Sequence, residues 1–382
     1  MDALNTGAQA SSDYLPGPYR VMVVDDSVVA RGLIARALES DSEVEVVSTA
    51  SSGEQAVTAL TRYKVEVVVL DIEMPKLDGL ASLPLLTKAD PDVKIIMVSS
   101  PTKRNASLCL RALSEGAADY VLKPSTARHL ATARDFQREL LDKVKALGAA
   151  RRGGHGRVSA RVSTELPAGV RNRVLVSTPI TFRRPAVRRP EALAIAASTG
   201  GPQALMEVLA ALGPKFPLPI LVTQHMPPTF TSILAERLAK TSGRPSREAA
   251  DRETVLPGHT YIAPGDSHML VESVGSRRII RLDDGPPENF CRPSADPMLR
   301  SMARAYEGRV LGLVLTGMGQ DGLRGGRLLI EAGGTLLAQD SATSIVWGMP
   351  GAVAAAGLCA AVLPLKDIAP YVNRLMPSWG VR

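Results

Sequence analysis

The stretch VEVVVLDIEMPKLDGL (65–80) decides the first half of the fold. An apolar, valine-rich run enters Asp71, and Pro75 and Gly79 punctuate the chain before a helix-period run begins. A near-continuous β-branched run bounded by turn residues is how a parallel strand buried on both faces reads. Outward from it, three more runs end in polar residues: YRVMVVDD (19–26) in Asp25 and Asp26, KIIMVSS (94–100) in Ser99 and Ser100, and DYVLK (119–123) in Lys123. Helix-period segments separate these runs, so the block predicts a doubly wound parallel sheet with helices on both faces.

In such a sheet ligands bind in the crevice beyond the carboxyl ends of the strands, which sends all of these side chains to one rim. Asp25, Asp26 and Asp71 would repel one another there unless a divalent cation sat among them, and hard oxygen ligands suit Mg²⁺. Lys123 and a hydroxyl facing them suit an incoming phosphoryl group. Taken singly, a strand-end aspartate reads more readily as a helix N-cap, with Asp25 and Asp26 heading VVARGLIARALES (28–40). Capping leaves the joint pattern of DD, LD, SS and KP at four strand ends without a reason. That pattern resembles the receiver domain of two-component response regulators across residues 19–142. The resemblance implies a flavodoxin-like sheet, Mg²⁺ held by Asp25, Asp26 and Asp71, and Asp71 as phospho-acceptor from a histidine kinase. It further implies Ser99 as the switch hydroxyl, Tyr120 as the switch aromatic and Lys123 as the phosphate-pairing lysine.

A second block repeats the alternation of strands and helices. ALAIAAS (192–198) ends at Ser198, PILVTQH (219–225) at His225, and VLGLVLTG (310–317) just before the loop MGQD (318–321) that carries Asp321. A serine, a histidine and an aspartate on three strand-end loops of one parallel sheet can meet in one crevice. There a hydroxyl would lose its proton to an imidazole whose tautomer a carboxylate fixes. Gly200-Gly201-Pro202 follows Ser198 and places Pro202 at the start of the helix PQALMEVLAALG, while the Met318 N–H in the glycine-rich turn offers an oxyanion donor. Each residue alone has a plainer reading, Ser198 as a cap and His225 as a structural histidine, and no G-x-S-x-G elbow is present. A dinucleotide-binding reading competes for the same loop, because residues 317–322 fit G-x-G-x-x-G and Asp340 follows the next strand. Against it, Asp321 would stand beside a pyrophosphate.

The segments STGGP (198–202), QHMPPTFT (224–231), YIAPGDSHM (261–269), RPSADPMLRS (292–301), TGMGQDG (316–322) and AQDSATSIVWGMP (338–350) resemble the chemotaxis protein-glutamate methylesterase family. Gln320 and Asp266 depart from the family's usual Asn and Gly. The resemblance implies a Rossmann-like three-layer αβα domain with Ser198 as nucleophile, His225 as base, Asp321 as orienting carboxylate and Met318 at the oxyanion. Thr199 would help orient His225. The implied reaction is hydrolysis of glutamate methyl esters on the cytoplasmic domains of chemoreceptors, releasing methanol, with deamidation of receptor glutamines as a second activity. The catalytic domain would need no cofactor, and an unphosphorylated receiver would pack over its crevice.

Charge distribution bounds the remaining classes. The net charge of +7 divides into −5 for residues 1–142, +11 for 143–190 and +1 for 191–382. The basicity therefore sits in one Arg/Gly/Pro-rich segment that buries too little apolar surface to order itself, and 143–190 reads as a linker. A nucleic-acid-binding output would need a basic effector, whereas the near-neutral 191–382 carries a large α/β pattern. No apolar run is long enough to span a bilayer, and the first 18 residues read as a disordered tail without a secretory signal. Cys109, Cys291 and Cys359 are odd in number and scattered, so the expectation is a reduced, cytoplasmic protein without disulfides.

Overall fold

The computed structural model describes residues 17–75, 78–124, 130–153 and 180–378. The first unit is a parallel sheet of β1 (Tyr19–Val24), β2 (Val44–Ala50), β3 (Val67–Asp71), β4 (Lys94–Ser99) and β5 (Asp119–Leu122) in the order β2-β1-β3-β4-β5. Five helices cover it: α1 (Val28–Glu39), α2 (Gly53–Leu60), α3 (Gly79–Ala89), α4 (Lys103–Ser114) and α5 (Leu130–Arg151). This is the flavodoxin-like order, with its reversal point between β1 and β3, so the loops carrying Asp25 and Asp71 leave the sheet side by side. The residues that cap the helices are not the strand-end aspartates. Ser27 caps α1, Asp78 caps α3 and Thr102 caps α4, each accepting from a backbone N–H of the first turn. Asp25 and Asp71 are thereby left free for the pocket.

The second unit is a seven-stranded parallel sheet of β6 (Ala192–Ala197), β7 (Ile220–Gln224), β8 (Ser246–Glu248), β9 (Thr260–Ile262), β12 (Val310–Val314), β13 (Thr335–Gln339) and β14 (Ala361–Leu363). Its order is β14-β13-β12-β6-β7-β9-β8. The helices are α6 (Gly201–Leu212), α7 (Phe230–Ser242), α8 (Ala295–Ala305), α9 (Leu323–Glu331), α10 (Met349–Ala355) and α11 (Leu365–Ser378). The central strands β6, β7, β12 and β13 are buried along their whole length, which is why they read as largely apolar runs, broken only by threonine and glutamine in β7 and β13. Strand order reverses between β6 and β12, so the crevice opens where Ser198 and the Asp321 loop leave the sheet. An antiparallel hairpin, β10 (His268–Val274) with β11 (Arg277–Asp283), departs from the all-parallel expectation and packs through β10 against α8.

The linker is shorter than its composition suggested. Helix α5 continues past 142 to Arg151, and the arginines at its end are paired: Arg151 with Asp90 at 2.6 Å, Arg152 with Glu66. From Ile180 onward the chain already lies on the second unit, with the Arg183 N–H donating to Cys359 O and the Ala186 N–H to Thr335 Oγ1. The segment expected as a tail (1–18) and the middle of the linker fall largely outside the described residues. No described helix is long and apolar enough to cross a membrane.

Candidate active site and phospho-acceptor pocket

In the first unit the three carboxylates converge as expected. Ligand oxygens of Asp25, Asp26 and Asp71 lie within 4.8 Å of one another, with Asp25 and Asp71 buried and Asp26 exposed. Lys123 Nζ stands 2.9 Å from both Asp25 Oδ2 and Asp71 Oδ1. Burial pushes the Asp71 carboxyl up to about 6, a rise that the Lys123 ammonium only partly offsets. Two buried carboxylates sharing one lysine are short of positive charge. An all-oxygen donor set open on its Asp26 side fits Mg²⁺. Ser99 is fully buried, its hydroxyl turned to Ser100 O at 3.2 Å.

In the second unit strand register sets the geometry. Ala197 pairs with Gln224, so Ser198 and His225 leave adjacent strands side by side, and the His225 N–H donates to Ala197 O. The Ser198 backbone is fixed by its own N–H to Thr316 O at 3.0 Å and by donors to its carbonyl from the Gly201 N–H and Gln224 Nε2. The half-buried Ser198 hydroxyl makes no hydrogen bond among the described residues. Gly200, at φ 76°, heads α6, and a Cβ there would meet Ile345 at 2.6 Å; a Cβ on Gly317 would strike Ser198 and Met349. Ser198 is thus no cap, and Pro202 falls just inside the helix.

His225 Nε2 lies 2.7 Å from Asp321 Oδ2. Asp321 is buried and accepts from Ser294 Oγ (2.8 Å), Asn289 Nδ2 (2.8 Å) and the N–H groups of Ala295 (2.6 Å), Asp296 (3.0 Å) and Gly322 (2.9 Å). Two of these belong to the first turn of α8, whose positive dipole end further favours a carboxylate. Burial alone would raise its pKa; His225 and these donors outweigh it and hold Asp321 down at about 2. At His225 burial acts to lower the pKa, but the Cys291 sulfur and the Asp321 carboxylate beside the ring outweigh it and raise it. The environment therefore favours the imidazolium that forms once a proton has been taken from the nucleophile. The Met318 N–H makes no hydrogen bond among the described residues and remains available to an oxyanion.

The residues that build this hub went unread in the sequence. Ser294 occupies the N-cap position of α8, yet its hydroxyl is spent on Asp321 rather than on the helix. Asn289 and Phe290 are the central pair of a two-residue turn closed by the Glu288–Cys291 bonds, and both have positive φ, 53° and 62°. The signal was there in NFCRPSADP, a polar loop ahead of a helix, though nothing in it names Asp321 as the acceptor.

One assignment is corrected. Thr199 is not turned toward His225; its hydroxyl donates 2.5 Å across the domain interface to Asp119 Oδ2, a buried carboxylate and the stronger acceptor. The same interface stacks Tyr120 on Phe230, ring centroids 4.6 Å apart, and bonds Gln203 Nε2 to Ala117 O. One apolar cluster joins Phe136, Leu140 and Leu141 of α5 with Met318, Ile345 and Val346 of the crevice loops. The receiver thus packs against the residues flanking the nucleophile.

A phospho-acceptor-type sheet joined to a parallel-sheet unit with Ser, His and Asp at its reversal point is the layout of a response regulator with an enzymatic output. Residues 21–135 match the response regulator receiver domain family, and residues 193–372 match the CheB methylesterase family. A protein-glutamate methylesterase/protein-glutamine glutaminase of Azospirillum brasilense is 54% identical over 366 residues, covering 94% of this chain and 92% of its own. Another so named, from Rhodospirillum rubrum, is 50% identical over 381 residues, covering 97% and 98%. Among solved structures, the Thermotoga maritima CheB methylesterase catalytic domain is 40% identical, covering 49% of this chain and 98% of its own, at a TM-score of 0.48. The chain belongs to the CheB methylesterase family, with a receiver domain ahead of the methylesterase domain. A nucleotide- or nucleic-acid-binding output has no support: the Asp321 carboxylate is bonded within the G-x-G-x-x-G turn, and Asp340 is tied to Thr343 in a local turn.

Proposed function

We propose that this protein hydrolyses glutamate γ-methyl esters on the cytoplasmic domains of chemoreceptors, releasing methanol, and deamidates receptor glutamines by the same route. The observation that carries this reading is the His225–Asp321 pair with Ser198 in register on the next strand. Ser198 Oγ attacks the ester carbonyl as His225 takes its proton, and the Met318 N–H meets the developing oxyanion. His225 returns the proton to methanol, or to ammonia where the substrate is an amide. Water, deprotonated by the same imidazole, then releases the carboxylate and restores Ser198. Asp321 stays ionised throughout and holds the ring.

In the receiver, Asp25, Asp26 and Asp71 would hold Mg²⁺, which supplies charge neutralisation for an incoming phosphoryl group. Asp71 takes that group from a histidine kinase in the cytoplasm, and Lys123 pairs with it. Methanol release from methylated receptor membranes is expected to rise when Mg²⁺ and a small phosphodonor are added. That rise is expected to vanish in Asp71→Asn while unstimulated release persists; stimulation surviving in the variant would remove Asp71 as the acceptor.

Strand β5 connects this chemistry to the crevice. It runs directly into Lys123 at the phosphate end, and its first two residues are Asp119, bonded to Thr199, and Tyr120, stacked on Phe230. Phosphorylation would bias this contact toward release, a local charge event acting on a two-state interface. Asp119→Asn weakens the charge-assisted bond to Thr199 and is expected to raise unphosphorylated activity about three- to tenfold, the equivalent of roughly 1 kcal/mol. Unchanged activity without phosphodonor would show that Asp119 does not hold the receiver closed.

A further inference from the structure

The turn Glu288–Cys291 holds Phe290 in a conformation that the fold itself does not repay. Two-residue turns with positive φ at both central positions favour Asn-Gly, because asparagine tolerates the left-handed region and glycine is free in it. Here the pair is Asn289-Phe290, a bulky residue at φ 62° where glycine fits. Such strain is normally offset by burial of the side chain, yet Phe290 is 87% exposed. Its neighbours are tied down on every side. Glu288 is held by both terminal nitrogens of Arg300, at 2.6 and 2.5 Å. Asn289 is bonded to Asp321 and Asp296, and Cys291 lies against His225. The turn is therefore locked to the catalytic pair, and the side chain that it exposes most is a phenyl ring. Among the described residues its one ring contact is the Arg138 guanidinium of α5, 5.4 Å from the ring centroid.

We propose that Phe290 is the residue that docks the receptor: an aromatic anchor for an apolar side chain one helical turn from the methylated glutamate. This rests on the methylesterase reading and deepens it. The occupant follows from what already sits there. Helix α5 places Arg138 on the phenyl ring while its apolar residues join Met318, Ile345 and Val346 in one cluster. The rim between Met318 and Phe290 thus already accommodates an amphipathic helix. On a substrate helix whose glutamyl ester enters the crevice, the side chains lying alongside are those three and four residues away. Exposed aromatics in fixed positions are the usual anchors of protein interfaces. In the closed state α5 packs beside the crevice loops and reaches the ring only through Arg138, leaving the ring 87% exposed.

The test uses the full chain with Mg²⁺ and acetyl phosphate, on methylated receptor membranes and on the small ester N-acetylglutamate γ-methyl ester. Phe290→Ala and Phe290→Gly are expected to raise the receptor KM about tenfold, while kcat and small-ester turnover hold within about twofold. Phe290→Tyr restores the receptor KM, and Phe290→Gly raises Tm by about 2–4 °C as the strain is relieved. An unchanged receptor KM overturns the proposal, as does an equal loss on both substrates, which would mark the ring as structural. Higher unphosphorylated activity in Phe290→Ala with receptor KM unmoved also overturns it and makes the ring a clasp for α5 alone. Co-sedimentation with receptor membranes separates this inference from the reading it rests on. Weaker sedimentation of Phe290→Ala supports docking even where no methanol is released, and undiminished sedimentation opposes it.

Discussion

Ser198→Ala is expected to cut methanol release from methylated receptors by on the order of 10⁴-fold or more, with stability within about 0.5 kcal/mol of wild type. Removing one oxygen removes the attacking atom, and the imidazole is left with nothing to deprotonate but water. The fold does not depend on that oxygen. Ser198 is held through its main chain, by Thr316 O, the Gly201 N–H and Gln224 Nε2, and alanine retains all three bonds. The residual rate reports what the Met318 N–H and substrate positioning contribute on their own. Single-turnover methanol release alongside a thermal melt measures both quantities. Activity above about a hundredth of wild type, in a variant that melts normally, would remove Ser198 from the nucleophile's role.

Asp321→Asn is expected to lower activity by about 10⁴-fold as well, and here stability falls too. The carboxylate accepts from side chains of Ser294 and Asn289, from three backbone N–H groups and from His225. An amide turns one of its two oxygens into a donor facing donors, and several buried N–H groups lose their partner. At about 1–3 kcal/mol for each buried group left unsatisfied, a net loss of roughly 3 kcal/mol is expected, or a Tm fall of about 6–12 °C. The pH dependence has a definite sign. Asp321 is held down at about 2 in the folded chain against an ordinary 3.8, so its contribution is complete above the unfolded value and disappears as pH falls through the folded one. The stability gap between wild type and variant should therefore narrow between about pH 4 and pH 2. An activity loss with no change in Tm would mean that the donors around Asp321 find other partners.

The contrast between these two variants matches what was legible in the chain. Strand-end chemistry was readable because a buried parallel strand is a continuous apolar run, and the first polar residue after it must lie on the rim. Asp25, Asp71, Lys123 and Ser198 announce themselves in this way, while His225 follows the polar pair Thr223-Gln224 at the end of its strand. Asp321 lies six residues beyond Leu315, where its apolar strand run ends, and only a glycine-rich turn brings it back over the sheet. The donors that hold it were invisible, because a side chain that leaves its own helix uncapped to serve a distant carboxylate breaks the local rule that sequence reading relies on. Ser294 does so, and Asn289 reaches Asp321 from a turn whose strain no periodicity encodes. The Thr199–Asp119 bond joins residues 80 positions apart in different domains, where no spacing argument applies. Helix α5 runs past residue 142 for a different reason: Arg151 and Arg152 read as linker by composition but are neutralised by Asp90 and Glu66.

Strand β5 is only four residues long, on the order of 13 Å, yet it touches the acid pocket at one end and the nucleophile's neighbour at the other. A connection that short cannot transmit in one direction alone. Under the proposed switch, a phosphoryl group on Asp71 weakens the hold on Thr199 by some factor. Thermodynamic reciprocity then requires that whatever loosens the hold on Thr199 strengthens retention of the phosphoryl group by that same factor. A receptor entering the crevice displaces the receiver and is itself such an agent. At equilibrium the phosphorylated, open enzyme would therefore be favoured most where substrate is densest.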